Sequence, residues 1–340
     1  MNSTVQKTIY GFLRKYSIFH LNFNFFKSIF PVQGYFVRKL STCFRNFGVG
    51  RLKSASTSSL GVFMAIRIVT DSASDISLEE AADLNIEIVP LSIRFGESEF
   101  TDLTDLSVSE FYIKMAESDL LPSTAAPSPG AFEAAFKKCH EAGADGVICI
   151  NLSLALSATG QAAQLAADAF SEILPVKCVD SKSITSGLGT IIRRAASAAE
   201  SGKSMEEIEA LINDLAERTR IYATLDTLEN LKKGGRIGGA KAMVGTMLQF
   251  KPCLDLSSGE VVEAGRQRTR KKSLLWLREV LEAAAPVEEL SIIHGDAPDI
   301  QDFVDLIADL APEGVRINQL GAVIGTHGGP RVLGLTFLVK

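Results

Sequence analysis

From residue 66 onward, apolar positions fall into short, nearly continuous runs separated by stretches in which they recur every three to four residues. The runs "IRIVTD" (66–71), "IEIVPLSIRF" (86–95), "GVICI" (146–150) and "VKCVD" (176–180) read as buried strands. Helical spacing fills the intervals: "LEEAADLN", 107–118 with Ser107 as its cap, "AFEAAFKKCHEAG", 160–170, and a segment opening near Gly187. A strand-helix rhythm of this kind predicts a parallel sheet with both faces covered.

The rhythm changes near residue 204. "SMEEIEALINDLAERTR" predicts a helix with Ser204 as cap and Glu207 at the capping-box position. "KPCLDLSSGEVVEAGRQRTR" (251–270) predicts two strands joined by a turn at 257–260. Helix 271–284, strand 290–296, helix 298–310 and strands near 315–324 and 333–339 follow. The pattern therefore divides the chain into a parallel α/β domain (65–203) and a mixed α/β domain (204–340).

Residues 1–64 stand apart. They hold nine Lys or Arg, no Asp or Glu, and ten of the nineteen phenylalanines. Three readings stay open for this basic extension: a targeting presequence, a membrane-surface helix presenting Ile9, Phe12, Leu13 and Tyr16, or a mis-assigned start ahead of Met64. The rest of the chain carries 26 basic against 40 acidic residues, a formal charge of −14. Such acidity excludes the usual nucleic-acid binder, whose phosphate contacts require a basic surface. The five cysteines show no C-x-x-C spacing, which fits a reducing compartment. A cytoplasmic protein is expected, or one of an organelle matrix if 1–64 is a presequence. The membrane-surface reading would add transient membrane contact.

The common catalytic signatures are missing: no G-x-S-x-G elbow surrounds Ser157, and there is no Walker A loop and no H-E-x-x-H. His140, His294 and His327 are not spaced as metal ligands, so neither metal nor cofactor is expected. Instead, hydroxyls recur at the carboxyl ends of the predicted strands. Ser72 follows the first; Ser153, Ser157 and Thr159 follow 146–150; Ser181 follows 176–180; Thr124 sits in the Pro-containing loop 121–130. In an open parallel sheet these ends converge on one crevice, where hydroxyls and helix-start amides suit an anion. The same residue types are also ordinary helix caps. In the second half, two glycine pairs flank Arg236 in "KKGGRIGGAK", a tight turn that would present a guanidinium. "GTHGGPR" (325–331) places His327 in a Gly-rich loop between strands, and Arg266, Arg268 and Arg270 alternate as if on one strand face.

Taken together, "TDSASD" (70–75), "STAAPS" (123–128), "LSLALSATGQAA" (152–163), "DSKSITSGLG" (180–189), "LENLKKGGRIGG", "FKPCLDLSSGEVVEAGRQRTRKK" and "IGTHGGP" resemble the DegV family of fatty-acid-binding proteins, in family order from about 66 to 340. The resemblance implies two α/β domains with a long-chain fatty acid in the cleft between them. It implies that Thr124, Ser157, Arg236 and His327 meet the carboxylate; the strand-end hydroxyls Ser72, Ser153, Thr159 and Ser181, together with Arg268, stand beside them as secondary candidates. It also implies a ligand-binding subunit rather than an enzyme, with a separate ATP-dependent kinase subunit converting the carboxylate to an acyl phosphate. Two further readings are carried: a lipid-binding regulatory sensor, and a serine esterase using Ser157 with His327. The chain departs from the family pattern at Ala125, Ala126, Ala158 and Arg331. Fifteen buried methylenes would supply ~12 kcal/mol of gross transfer energy, and a buried carboxylate needs hydrogen bonds or charge to keep that gain. "AMVGTMLQF" (242–250), with Met243 and Met247, is a candidate wall for the tail.

Overall fold

A computed structural model describes residues 65–243 and 250–340. They form three sheets, two large and one small.

The first lobe begins with β1 (Ile66–Asp71), a 3-10 turn (Ser72–Ser74), α1 (Leu78–Asp83) and β2 (Ile86–Val89). It continues with β3 (Ser92–Phe95), β4 (Ser98–Thr101), α2 (Val108–Glu117), β5 (Ser123–Ala125) and α3 (Pro129–Glu141). It closes with β6 (Gly146–Asn151), α4 (Thr159–Phe170), β7 (Val176–Asp180), α5 (Thr185–Glu200) and α6 (Met205–Arg218). Strands in the order β2-β1-β6-β7 form the expected parallel sheet. Alternation along its central strands splits the core cleanly. Val69, Val147 and Cys149 meet Phe132, Phe136 and Ala163 of α3 and α4 on one face. On the other face, Ile68, Ile148 and Ile150 meet Leu188, Ile191 and Ile192 of α5. Helix α6 packs on the α5 side, against β6 and β7.

The run 86–95 is two strands rather than one. Pro90 has no N–H to give a ladder and interrupts pairing, so β2 stays in the parallel sheet while β3 joins a small antiparallel sheet, β4-β3-β5. Thr124 therefore lies on a short strand, opposite Ile93, instead of in a loop.

The second lobe comprises β8 (Thr219–Thr224), α7 (Glu229–Lys233), a 3-10 segment (Gly238–Met243), β9 (Lys251–Asp255) and β10 (Val262–Gln267). Then come α8 (Arg270–Ala284), β11 (Glu288–His294), α9 (Ile300–Ile307), β12 (Arg316–Gln319), α10 (Ala322–Gly328) and β13 (Leu333–Leu338). Its sheet has the order β10-β9-β8-β13-β11-β12, antiparallel except for β11 with β12. Leu333, Leu335 and Phe337 of the wholly buried β13 face α8 and α9. Ile221 and Ala223 of β8 point the other way and join the core that continues into the first lobe.

Three expectations need correction. His327 lies in the last turn of α10, where strand and loop are expected, because Gly325 serves close packing inside the helix instead of turning the chain. A Cβ on Gly325 would come 2.7 Å from the Tyr112 hydroxyl and 2.8 Å from the Phe111 ring. The three arginines do not share a strand face: Arg266 pairs with Glu263, Arg268 is exposed past the end of β10, and Arg270 opens α8 paired with Asp299. Strand β8 was not expected at all, since α6 runs into it with no turn residue between Arg218 and Thr219. Of the proposed tail wall, Met243 is buried, while 244–249, including Met247, lie outside the described residues, as does the whole of 1–64.

Candidate functional site

A cavity opens between the two large sheets. It comprises about 790 Å3 of space between the atoms, part of it open to solvent. Nearly all of its wall is apolar: Leu152, Leu156 and Ile184 come from the first lobe, and Ile221, Ala223, Leu254 and Ile293 from the second. The side-chain polar groups in that wall are Thr124, Ser157, Thr185, Arg236 and His327.

The four leading candidates arrive from four separate elements. Thr124 sits on β5, held against β3 by sheet pairing. Ser157 ends the loop between β6 and α4, and buried side chains pin that loop. Asp71 accepts from the Leu152 N–H at 2.8 Å and from Asn151 Nδ2 at 3.1 Å, while Asp180 accepts from the Leu154 N–H at 3.2 Å. The Ser157 hydroxyl accepts from the Thr159 N–H at 3.3 Å and shares a 2.8 Å hydrogen bond with the Thr159 hydroxyl. It thus touches the first turn of α4, whose unpaired N–H groups favour negative charge.

Arg236 follows α7 through Gly235, whose φ of +73° suits a glycine, and reaches across to the first lobe. Its Nε donates to the Leu156 carbonyl at 3.1 Å and its Nη1 to the Gly234 carbonyl at 2.7 Å. His327 Nε2 lies 2.9 Å from the Thr124 hydroxyl, joining the two lobes. Burial, reinforced by the Arg236 charge, lowers this imidazole from 6.5 to about 4, so it is neutral at physiological pH. Its Nδ1 is buried with no hydrogen-bond partner. The ring packs so closely on Gly234 that a Cβ there would sit 2.3 Å from Nδ1. The two glycine pairs now have separate reasons: Gly234 makes room for the histidine, while Gly235 and Gly238 adopt positive φ.

Among the secondary candidates, Thr159 supports Ser157 but does not line the cavity. Ser72 accepts from the Leu91 N–H, Ser181 bonds within its own turn to Ser183, and Ser153 donates to the Gly259 carbonyl of the second lobe at 2.6 Å. These three are buried away from the cavity surface, and Arg268 is exposed. Two residues had no sequence signal as part of the site. Thr185 lines the cavity with φ +50°, an uncommon backbone state for a β-branched residue. Its hydroxyl donates to the half-buried Asp75. Among the described residues, no group of three or more His, Cys, Asp or Glu side chains is placed to hold a metal ion, and no helix is long and apolar enough to cross a membrane.

The arrangement is an apolar cavity whose wall carries one guanidinium, an imidazole and three hydroxyls, suited to an amphiphile bearing one anionic group. Comparison with known proteins agrees in kind. The family model described as "Uncharacterised protein, DegV family" matches residues 65–340. A DegV domain-containing protein of Listeria innocua is 34% identical over 280 residues, covering 81% of this chain and 99% of the relative. A solved structure titled as fatty acid binding of a DegV family protein from Thermus thermophilus is 33% identical. It superposes with a TM-score of 0.75 over 82% of this chain and 100% of that one. A fatty-acid (stearic acid)-binding protein from Eubacterium ventriosum, 26% identical, gives a TM-score of 0.71 over 81% of this chain and 98% of that one. Match to the family model across 65–340, with the fold and the order of the motifs, leads to one conclusion: the chain belongs to the DegV family.

Proposed function

We propose that this protein binds a long-chain fatty acid in the cavity between its lobes, with the carboxylate at Thr124, Ser157, Arg236 and His327. The observation that carries the reading is the convergence of these four side chains, from four elements, at an otherwise apolar cavity. Relatives whose structures are titled as fatty-acid-binding support the ligand class. Arg236 supplies the counter-charge, the hydroxyls of Thr124 and Ser157 and the start of α4 supply donors, and the apolar wall takes the chain.

Binding fits the geometry better than hydrolysis. The Ser157 hydroxyl is engaged with Thr159, and His327 is turned to Thr124, so the serine lacks the base contact a nucleophile needs. The finer reading is presentation of the bound carboxylate to a separate ATP-dependent kinase subunit, which would form the acyl phosphate; cytoplasmic residence belongs with it. As a pure lipid sensor, the protein would instead give no ligand phosphorylation with any such kinase.

Native mass spectrometry of protein expressed in a bacterial host should reveal a bound fatty acid, and delipidated protein should rebind palmitate or stearate. Failure to rebind either would sink the proposal. Ser157→Ala should weaken binding about 10- to 100-fold, the worth of a hydrogen bond to a charged group; unchanged affinity would remove Ser157 from the head-group site. ATP-dependent phosphorylation of the bound ligand, with the kinase subunit added, tests the presentation role.

A further inference from the structure

Several of the hydrogen bonds joining the lobes fall into two groups. One is the head-group set already described. The other gathers around the start of α10. Asp75 Oδ1 accepts from the Gly321 N–H at 3.0 Å, and Oδ2 accepts from the Thr185 hydroxyl. The Tyr112 hydroxyl donates to the Leu320 carbonyl at 3.2 Å, and Asn318 Nδ2 donates to the Ser186 hydroxyl at 2.7 Å. Gly321 is the residue before α10, and a Cβ on it would lie 3.0 Å from Asp75 Oδ1. Six residues further on, α10 carries His327 to Thr124.

We propose that Asp75 is a positioning residue: it clamps the start of α10 to the first lobe, sets His327 against Thr124, and makes the hold on ligand tighten with proton uptake. The part concerning ligand rests on the fatty-acid-binding role proposed above.

The protonation argument begins with where the carboxyl lies. Asp75 is half-buried, its carboxyl held between the lobe that carries it and a backbone amide from the other. Parting the lobes at this joint would let water reach it. Burial raises it from 3.8 to about 7, against the hydrogen bonds from Thr185 and Gly321; the Asp102 charge pushes the same way and Arg193 opposes. Arg193 is itself committed to Glu80, through Nε at 2.6 Å and Nη2 at 2.9 Å, and Arg316 of β12 also approaches Glu80. Tyr112, facing Asp75 from α2, is pushed far upward by burial and stays neutral. As a neutral acid, Asp75 still accepts from Gly321 with one oxygen and can pair its O–H or its other lone pairs with Thr185.

The sign follows from the two states. A hydrated Asp75 titrates near 3.8 and the buried one near 7, so closing the joint binds a proton between those values. Closure is favoured at pH 6 and loses ground as pH rises through 7. If release requires this joint to part, retention at pH 8 should be weaker than at pH 6 by up to about tenfold.

The experiment uses the full chain and stearate as probe, with dissociation rates measured from pH 6 to pH 8. Wild-type release should quicken toward pH 8. Asp75→Asn, which keeps an acceptor for Gly321 and a donor for Thr185, should release slowly and at one rate across the range. Asp75→Ala should release faster at every pH. Retention of the wild-type pH slope in Asp75→Asn, or wild-type behaviour of Asp75→Ala, would overturn the proposal. Amide hydrogen exchange over residues 318–328, without added fatty acid and corrected for intrinsic rates, reads the joint alone. It should show opening that increases toward pH 8 in wild type and not in Asp75→Asn. A joint with that behaviour in a protein that does not bind stearate would refute the binding role and leave the joint standing. Should Asp75→Asn fold poorly, Thr185→Val serves instead: losing a donor to the carboxylate should move the exchange midpoint to higher pH, and an unmoved midpoint would overturn the proposal.

Discussion

Gly234 and His327 show how much one missing methyl group can decide. The imidazole rests on Gly234 in space that a side chain would occupy, and nothing in either local sequence announces that the two residues meet 93 positions apart. Gly234→Ala should push the ring out of line with Thr124 and cost ~1–3 kcal/mol of stability through overpacking. Denaturant unfolding would measure the loss, and palmitate affinity should fall with it. The histidine's protonation gives an independent check. Buried beside Arg236, it should remain neutral in the free protein down to about pH 4, as followed by its ring resonances. A bound carboxylate beside it would raise that value, and an unchanged titration on adding palmitate would separate His327 from the head group.

At the level of elements, the helix starts were legible because their signals are local. Ser107 and Ser204 form the capping boxes with Glu110 and Glu207 that their spacing predicts. Ser107→Ala should destabilise the protein by about 1 kcal/mol in chemical unfolding. The helix it starts carries Phe111 and Tyr112, which pack against α10, so binding should weaken less than stability falls. Strands were legible where burial on both faces leaves an unbroken apolar run, as in β1, β6 and β7. They were hidden where a short strand contributes one face to a cavity. In β5, "STA" has no apolar run to read, and β8 alternates Ile221 and Ala223 with Arg220 and Tyr222 directly behind a helix. The seven-residue α10 was hidden for another reason: close packing demanded glycines that elsewhere mean a loop.

Across the whole molecule, buried acids set the pH response. Asp71 and Asp102 are pushed up to about 6 and Asp75 to about 7, burial being the main cause in each. Each keeps a proton in the folded state at pH values where the unfolded chain, titrating near 3.8, has lost it. Their contribution to stability is therefore largest in acid and declines as pH rises through 6 to 7. His327 works in the opposite direction: its folded value of about 4 lies below 6.5, so stability is lost as pH falls across that interval. Three carboxyls outweigh one imidazole, even with a smaller lowering at His294. The unfolding free energy should fall between pH 5 and pH 7.5, and Asp71→Asn should flatten the lower part of that slope. A curve rising steadily to pH 7.5 would contradict this assignment.

Local pattern alone specified the parallel sheet, its helices and their caps, and the resemblance of its motifs picked out Thr124, Ser157, Arg236 and His327, because strand burial, capping and motif order are written in neighbouring residues. What the residues do for one another depended on the tertiary structure. Ser72, Ser153, Ser157, Thr159 and Ser181 are the same kind of residue at the same edge of one sheet, yet Ser157 lines the cavity while Ser72, Ser153 and Ser181 hold backbone. Nothing local marks Asp75, and its role comes from Gly321, 246 positions away, whose amide it accepts from. Hydrogen-bonding side chains take their roles from the partners that folding supplies, and those partners here come from the other lobe.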